Sequence, residues 1–394
     1  MGLLLNITRF IVGILFIFSG LVKANDPLGL SYKMQEFFEI WNESLSKSSF
    51  FLNDILINLF QFLHDHSLAL SVIIISFEII AGVAVLLGWR MKILSWLLLA
   101  LIIFFTFLTG YAYYSGKFKN CGCFGDCLPI SPLVSFLKDV FLTALILFIF
   151  VQRKKIKPAF TSKINAGIMG ITTLFSFGIQ LYVLNYLPLV DCLPFKEGNN
   201  IQEKMKIPAG AIPDSFAIRF IYEKDGKQFE FSPSELPADL PTYKFKDRKD
   251  KLIRKGNAEP QIKGFSLSGI TNVDSTDIIL ANPYSILLFC ENFSTPVSKW
   301  EKTFSNIYSE AKNKNIPVYL VTTAPEEAVS VISSTSFAGI PVLKCDYTAI
   351  RTAARANPSL FLIKNGVILD KWSYKNMKQV IEKLEKIPGQ QVLP

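Results

Sequence analysis

The sequence predicts an α-helical membrane bundle of about five spans, then a small β-rich segment, then a small α/β domain held outside the membrane. Three observations carry this. Long apolar runs are confined to the chain before Tyr186, cations gather in two short loops between those runs, and strand and helix signals alternate in the last third. Half of the 394 residues are hydrophobic and only 19% are charged, yet the formal net charge is +9, so the placement of the cations has to be explained.

The spans are read at 3–22, 68–88, 93–114, 133–151 and 164–187. Each approaches the roughly 20 helical residues that cross ~30 Å of hydrocarbon. Each mixes Gly, Ser or Thr with large apolar residues, as helices that approach closely in lipid require. The first run ends on Val22-Lys23-Ala24, which loosely mimics a cleavage site. Its apolar core exceeds the roughly 7–15 residues of a signal segment, so it is read as a retained span.

Arg90 and Lys92 lie between spans two and three; Arg153, Lys154, Lys155, Lys157 and Lys163 lie between spans four and five, with no acidic residue in either loop. Basic short loops stay cytoplasmic. The loop 24–66 is dominated by Asp26, Glu36, Glu39, Glu43, Asp54 and Asp65 and suits the outer face. The N-terminus is therefore expected in the cytoplasm of a bacterial cell, the spans in its inner membrane and the C-terminal part in the periplasm. The basic charge reads as topology: the expected surroundings are a lipid bilayer and no nucleic acid.

Within the outer loop, 32–41 and 50–63 have helical amphipathic spacing and aromatic faces, and are expected to lie along the membrane surface. His64-Asp65-His66 reads as a solvated helix end, because two close histidines are too few ligands for a metal. A linker rich in Pro, Gly and Asn runs from Leu187 to about Gly210. Next, 216–222 and 228–231 flank Asp225-Gly226, a hairpin signal, and the basic stretch 244–255 is expected to be a solvated connection. Beyond Phe265, strands are read at 285–290, 317–322, 341–343, 360–363 and 367–372. Helices are read at 297–313, 325–333, up to 354, and at 375–386. This alternation implies a central sheet with helices on both faces. The expected units are 1–187, 188–263 and 264–394.

Under this topology all six cysteines, at 121, 123, 127, 192, 290 and 345, face the outer compartment, where thiols are available for disulfide chemistry. Cys121, Cys123 and Cys127 crowd one loop between spans three and four, beside glycines that permit the tight backbone of a short disulfide ring. Ser131 is placed as N-cap and Pro132 as the first residue of span four. A thiol near that helix start, close to Lys117 and Lys119, would be favoured as thiolate. The three are the candidate redox thiols. Structural disulfide bonding and metal binding by the three thiolates are the alternatives, the latter without an evident fourth ligand, so no metal site is assigned. Cys192, on the same surface, is the cysteine within reach of that loop.

Glu78, about ten residues into span two, and Lys138-Asp139 in span four are ionisable groups that lipid tolerates only when paired or hydrated. Simple pairing, for instance of Lys23 or Lys138 with a carboxylate, is one reading. The other is a proton path or the polar wall of a quinone pocket, with Glu78 the candidate site and a quinone the possible cofactor.

The phrase CGCFGDCLPISP, FIFSGLVKANDP at the end of span one, Glu78 and Gly82 in span two, and Lys138-Asp139 together resemble the DoxX/MauE group of bacterial membrane proteins, in particular Bacteroidetes members fused to a C-terminal domain. The resemblance implies a four-helix redox-type bundle with one extra helix, a role in periplasmic disulfide formation or protein maturation, and Cys121 and Cys123 as the pair, with Cys127 the third thiol. The last third resembles a TlpA-type thioredoxin-like domain. Ile286 to Phe289 leads into a loop and helix, and Asn357-Pro358-Ser359 stands where such domains carry a cis-proline. Ser294-Thr295-Pro296-Val297 then occupies the place of the reactive Cys-x-x-Cys. Serine cannot cycle through a disulfide, so this domain is expected to dock a partner without thioredoxin activity of its own. Cys290 and Cys345 read as buried small residues or a structural pair. The expected function is a membrane component of thiol–disulfide exchange acting on a periplasmic partner; a non-enzymatic scaffold or maturation factor and a metal-binding or transport protein are the alternatives.

Overall fold

The computed structural model describes residues 2–389, except 49, 50, 119–121, 123, 124, 126, 129, 214, 238, 255, 257, 270 and 271. Among the described residues, five helices are long and apolar enough to cross a membrane: α1 (Gly2–Ala24), then, after α2 (Pro27–Ser46) and α3 (Asn53–Asp65), α4 (Ser67–Leu87), α5 (Met91–Ser115), α6 (Pro132–Gln152) and α7 (Ser162–Tyr186). Their termini behave as the local chemistry dictates. Asp26 caps α2, accepting from the Gly29 amide at 3.0 Å, with Pro27 as its first residue. Ser131 caps α6 ahead of Pro132, its hydroxyl accepting from Val134 N at 3.4 Å.

Small residues set the closest helix approach. A Cβ placed on Gly82 of α4 would lie 2.8 Å from Gly13 O and 2.9 Å from Ile17 N of α1, and one on Gly20 would meet Ile79 at 2.6 Å. These are contacts no real side chain makes, so α1 and α4 touch backbone to backbone. At one end of the bundle Arg9 donates to Val85 O and Leu86 O, and Ala159 N to Leu87 O, which brings the basic segment 153–163 beside Arg90 and Lys92. The cysteine loop, α2, α3 and the C-terminal domain all emerge at the other end. There α2 packs on α3 and α4 through Phe38, Trp41 and Phe60. Phe51, Ile55, Leu59 and Phe62 form an exposed apolar stripe at helical spacing along α3 and the turn before it.

After α7 the chain runs through α8 (Ile201–Lys204) into a three-stranded antiparallel sheet of order β2-β1-β3, formed by β1 (Ser215–Lys224), β2 (Lys227–Phe231) and β3 (Lys244–Arg254). Asp225 and Gly226 have φ of 50° and 72°, the left-handed pair a two-residue hairpin turn demands. β3 corrects the sequence reading of 244–255 as a solvated connection. Its charges give no apolar alternation, but its backbone pairs with β1 from Lys244 to Arg254, and Tyr222, Phe229, Phe231, Tyr243 and Phe245 form an aromatic cluster. Lys246 also reaches Glu223 at 2.7 Å.

The C-terminal domain follows: α9 (Thr276–Leu280), β4 (Ser285–Cys290), α10 (Glu301–Asn313), β5 (Val318–Thr322), α11 (Pro325–Ile332), β6 (Val342–Lys344), α12 (Tyr347–Ala353), β7 (Ser359–Lys364), β8 (Val367–Ser373) and α13 (Gln379–Glu385). The sheet order is β6-β5-β4-β7-β8, with β4, β5 and β6 parallel and β7 and β8 antiparallel to their neighbours. Together with the cis peptide bond at Asn357-Pro358, just before β7, this is the thioredoxin-like arrangement. Strand alternation divides the core. Ile286, Leu288 and Cys290 pack under α10 and α13 with Trp300 and Phe304, whereas Leu287 and Phe289 face α9 and α12. Phe195 and Ile201, within the stretch read as linker, are buried in that second layer, and Ile201 N donates to Gly366 O at 2.8 Å. The last helix starts at Gln379 rather than 375, because Lys375 N turns back to the Ser373 hydroxyl.

Candidate functional site

The site is built where α1, α4, α5 and α6 meet beneath the cysteine loop. Lys23, in the last turn of α1, and Glu78, on α4, are each only 3% exposed. Lys23 Nζ lies 2.5 Å from Glu78 Oε1, and Ser19 Oγ donates to Glu78 Oε2 at 3.2 Å. Lys23 also stands 4.8 Å from the centroid of the Phe105 ring. Across a small cavity, Asp139 of α6, 1% exposed, takes Lys138 Nζ at 2.8 Å and a hydrogen bond from Thr109 Oγ1 at 3.0 Å. Ser19, Lys23, Glu78, Lys138 and Asp139 all line that cavity. Two ammonium and two carboxylate groups thus face a shared space inside an apolar bundle, where each is tolerable only through its partner.

A second, narrow cavity shares Lys23 and Phe105 with the first. Its walls are Phe37, Phe38, Trp41 and Phe104, and it rises to Gly122. Gly122 and Gly125 have φ of 68° and 58°, left-handed values that glycine adopts without strain, and Gly125 N donates to Gly122 O at 3.0 Å. Cys121 and Cys123, which flank Gly122 in sequence, lie outside the described residues.

Cys127 is bonded to Cys192, 65 residues away, with Cα atoms 4.8 Å apart. The cysteine loop is thereby tied covalently to the segment between α7 and the C-terminal domain. Both residues are half-buried, and Cys192 also lines an open cleft between α2 and α12. Sequence reading placed Cys192 within reach of the loop; it could not say which cysteine it meets.

The thioredoxin-like domain turns the end of its sheet toward α2. Arg351 donates to Glu291 at 2.8 Å and to Gln35 Oε1 of α2 at 2.7 Å, its guanidinium 4.3 Å from the Tyr32 ring and 3.7 Å from the Tyr347 ring. Arg355, 5% exposed, pairs with Asp26 at 2.8 Å. Burial and the Glu291 carboxylate raise the Tyr32 phenol above its ordinary pKa, so it stays neutral at this seam. Lys371 and Asp191 form a further ion pair, and Ser373 Oγ donates to Asn185 O at 2.5 Å. Sequence reading took Asp26 only as an acidic residue of the outer loop and foresaw none of these contacts, since no motif marks a pairing between segments so far apart, up to 329 residues for Asp26 and Arg355.

Between the end of β4 and the cis-proline, backbone and amide groups satisfy one another. Asn357 donates to Asn292 O and Oδ1, both at 2.8 Å, and accepts from Glu291 N at 3.1 Å. Asn292 Oδ1 also accepts from Ser294 N at 3.0 Å. Cys290 and Cys345 are buried and free, on opposite faces of the sheet, which rules out a structural pair. Burial pushes the Cys290 thiol up to about 12, helped by Glu327 and Glu291, and the Cys345 thiol up to about 11. Neither is a nucleophile at neutral pH.

Comparison with known proteins finds family matches to two stretches of the chain. Residues 1–152 match the family described as methylamine utilisation protein MauE, and residues 216–255, which cover most of the small sheet, match a domain of unknown function, DUF8463. No curated protein matches. Among solved structures, conserved protein BF1870 of unknown function from Bacteroides fragilis is 19% identical, over 30% of this chain and 93% of its own, with a TM-score of 0.25. The bacterioferritin comigratory protein of Xanthomonas campestris, described for alkyl peroxide reduction, is 17% identical over 31% and 88% (TM-score 0.23). Yeast Sco1 is 13% identical over 31% and 90% (TM-score 0.24).

Proposed function

We propose that this chain, a MauE-like membrane bundle joined to a thioredoxin-like domain, is a thiol–disulfide redox component of a bacterial inner membrane, with Cys121 and Cys123 as the exchanging pair. The observation that carries the reading is the cavity running from Gly122, between those two cysteines, down an aromatic wall to Lys23 and, through the shared wall, to Glu78 and Asp139. A dithiol that becomes a disulfide releases two electrons and two protons. A flat, membrane-soluble quinone would match that stoichiometry, and the aromatic side chains of the slot are the kind of surface on which its ring would stack. Were a quinone bound there, Lys23 would be the residue to hold one of its oxygens, and the Lys23–Glu78 pair behind it would supply or relay the protons. The basic segments at the opposite end of the bundle support a cytoplasmic N-terminus and a periplasmic C-terminal domain. The latter, without its own thiol pair, holds the partner rather than oxidising it.

The test is a quinone reduction assay with the reduced full chain in phospholipid nanodiscs. A chain reduced at the loop pair alone should reduce menadione or decylubiquinone by one equivalent. Cys121→Ser or Cys123→Ser should abolish this, and Glu78→Gln should slow it about tenfold or more. Unchanged quinone reduction in both serine variants would overturn the reading.

A further inference from the structure

The disulfide joins Cys127 and Cys192, neither of which is a member of the proposed exchanging pair, and its two halves belong to unlike surroundings. Cys127 borders a small space beneath the tether with Val22, Asn25 and Pro188. Cys192 borders that space too, but it also forms part of the wall of the open cleft between α2 and the thioredoxin-like domain. Across this cleft stand Tyr32 and Lys33 from α2, and Tyr347, Arg351 and Arg355 from the region of α12. The cleft is therefore walled by both halves of the molecule, with one half of a disulfide in its lining and both cations (Lys33, Arg351, Arg355) and carboxylates (Glu36, Glu39) along its sides. A disulfide bond is the electrophile for a thiolate, and mixed polar walls suit the backbone of a peptide that carries one.

We propose that this cleft is the docking site for an extended, cysteine-bearing segment of a partner protein, and that Cys192 is the sulfur it attacks. The step balances within the named groups. A partner thiolate bonds to Cys192 Sγ as the Cys127–Cys192 bond breaks and Cys127 leaves as thiolate. A second partner thiol then displaces Cys192, so that the partner gains a disulfide and its two protons end on Cys127 and Cys192. Reoxidation rests on the proposed function: the disulfide form of Cys121 and Cys123 on the same loop accepts the two electrons by a second exchange. Cys192 is thus the entry point and Cys127 the leaving group that passes the reduction on. The polarity follows from position, since only Cys192 reaches the cleft that spans both domains.

The experiment uses the full chain in phospholipid nanodiscs, in a Cys121→Ser/Cys123→Ser background so that its readout does not depend on the loop pair. The probe is a synthetic heptapeptide with one central cysteine, and the mixed disulfide is mapped by mass spectrometry. The expected adduct is on Cys192, at least about tenfold over Cys127. Thr348→Trp and Gln261→Trp, at exposed positions lining the cleft, should each slow peptide attack about tenfold and leave reduction by 2-mercaptoethanol unchanged, because a small thiol needs no cleft. An adduct divided equally between the two sulfurs, or a peptide rate indifferent to both tryptophans, would overturn the inference while leaving the quinone assay to decide the loop pair separately.

Discussion

In the thioredoxin-like domain, Cys290 and Cys345 are sealed on opposite faces of the sheet, while at the membrane surface Cys127 and Cys192 sit half-buried and bonded where the cysteine loop meets the tether. The domain has a thioredoxin-like strand order and a cis-proline, and Asn292 and Asn357 close on each other beside that proline. The membrane half lacks that fold and holds other groups: the Cys127–Cys192 disulfide at one end, and the Lys23–Glu78 and Lys138–Asp139 pairs within the bundle. The difference teaches that a fold and its reaction are separable, and that the reaction follows the groups which supply electrons, protons and access.

The largest expected effect lies in the buried charges. Lys23→Met leaves Glu78 in the bundle without its cation and should cost about 3–5 kcal/mol, read as a lower melting temperature in nanodiscs. The double variant Lys23→Met/Glu78→Gln should recover more than half of that loss. Recovery of none would mean that the pair is not what holds α1 against α4 there.

The seam between the two regions comes next. Asp26→Asn keeps an oxygen to cap Gly29 but removes the charge facing Arg355, and should weaken docking by about 2–3 kcal/mol. Hydrogen exchange should then rise in α2 and α12 together and stay unchanged in β4, β5 and β7. Exchange rising throughout the domain would show that Arg355 supports its internal fold instead.

A smaller effect is expected at the amide clasp. Asn357→Ala removes three hydrogen bonds around the cis-proline loop and should cost about 1–3 kcal/mol, with faster exchange at Glu291 and Ser294. Quinone reduction should not change, since the clasp is absent from the membrane site. The smallest effect belongs to the buried thiols. With pKa values raised to about 12 and about 11, no more than about one Cys290 in ten thousand and one Cys345 in a thousand is thiolate at pH 8. The fraction grows only as pH rises, so maleimide should label both slowly until the domain is unfolded.

The periodic parts of this architecture were legible in the sequence. The five apolar helices, the Asp225-Gly226 hairpin and the strand signals from Ser285 to Ser373 arise from local pattern, and the Asn357-Pro358 bond from the resemblance. Glu78 stood out because lipid penalises a carboxylate wherever it is placed, but its choice of Lys23 over Lys138 depends on the α1–α4 contact, which no local pattern encodes. β3 was missed because alternating Lys and Asp look solvated until β1 supplies the partner backbone. The seam of Asp26, Gln35, Arg351 and Arg355 was invisible for the same reason: each is an ordinary surface residue until the two halves meet.

The central claim is that exchangeable thiols belong to the membrane surface and that the thioredoxin-like domain contributes none. Redox titration of the purified full chain, with maleimide mass tags counted at each potential, tests it most directly. The account predicts that Cys121, Cys123, Cys127 and Cys192 pass reversibly between tagged and untagged forms while Cys290 and Cys345 stay silent until unfolding. A chain whose loop cysteines never change state, or whose Cys290 titrates with them, would contradict it.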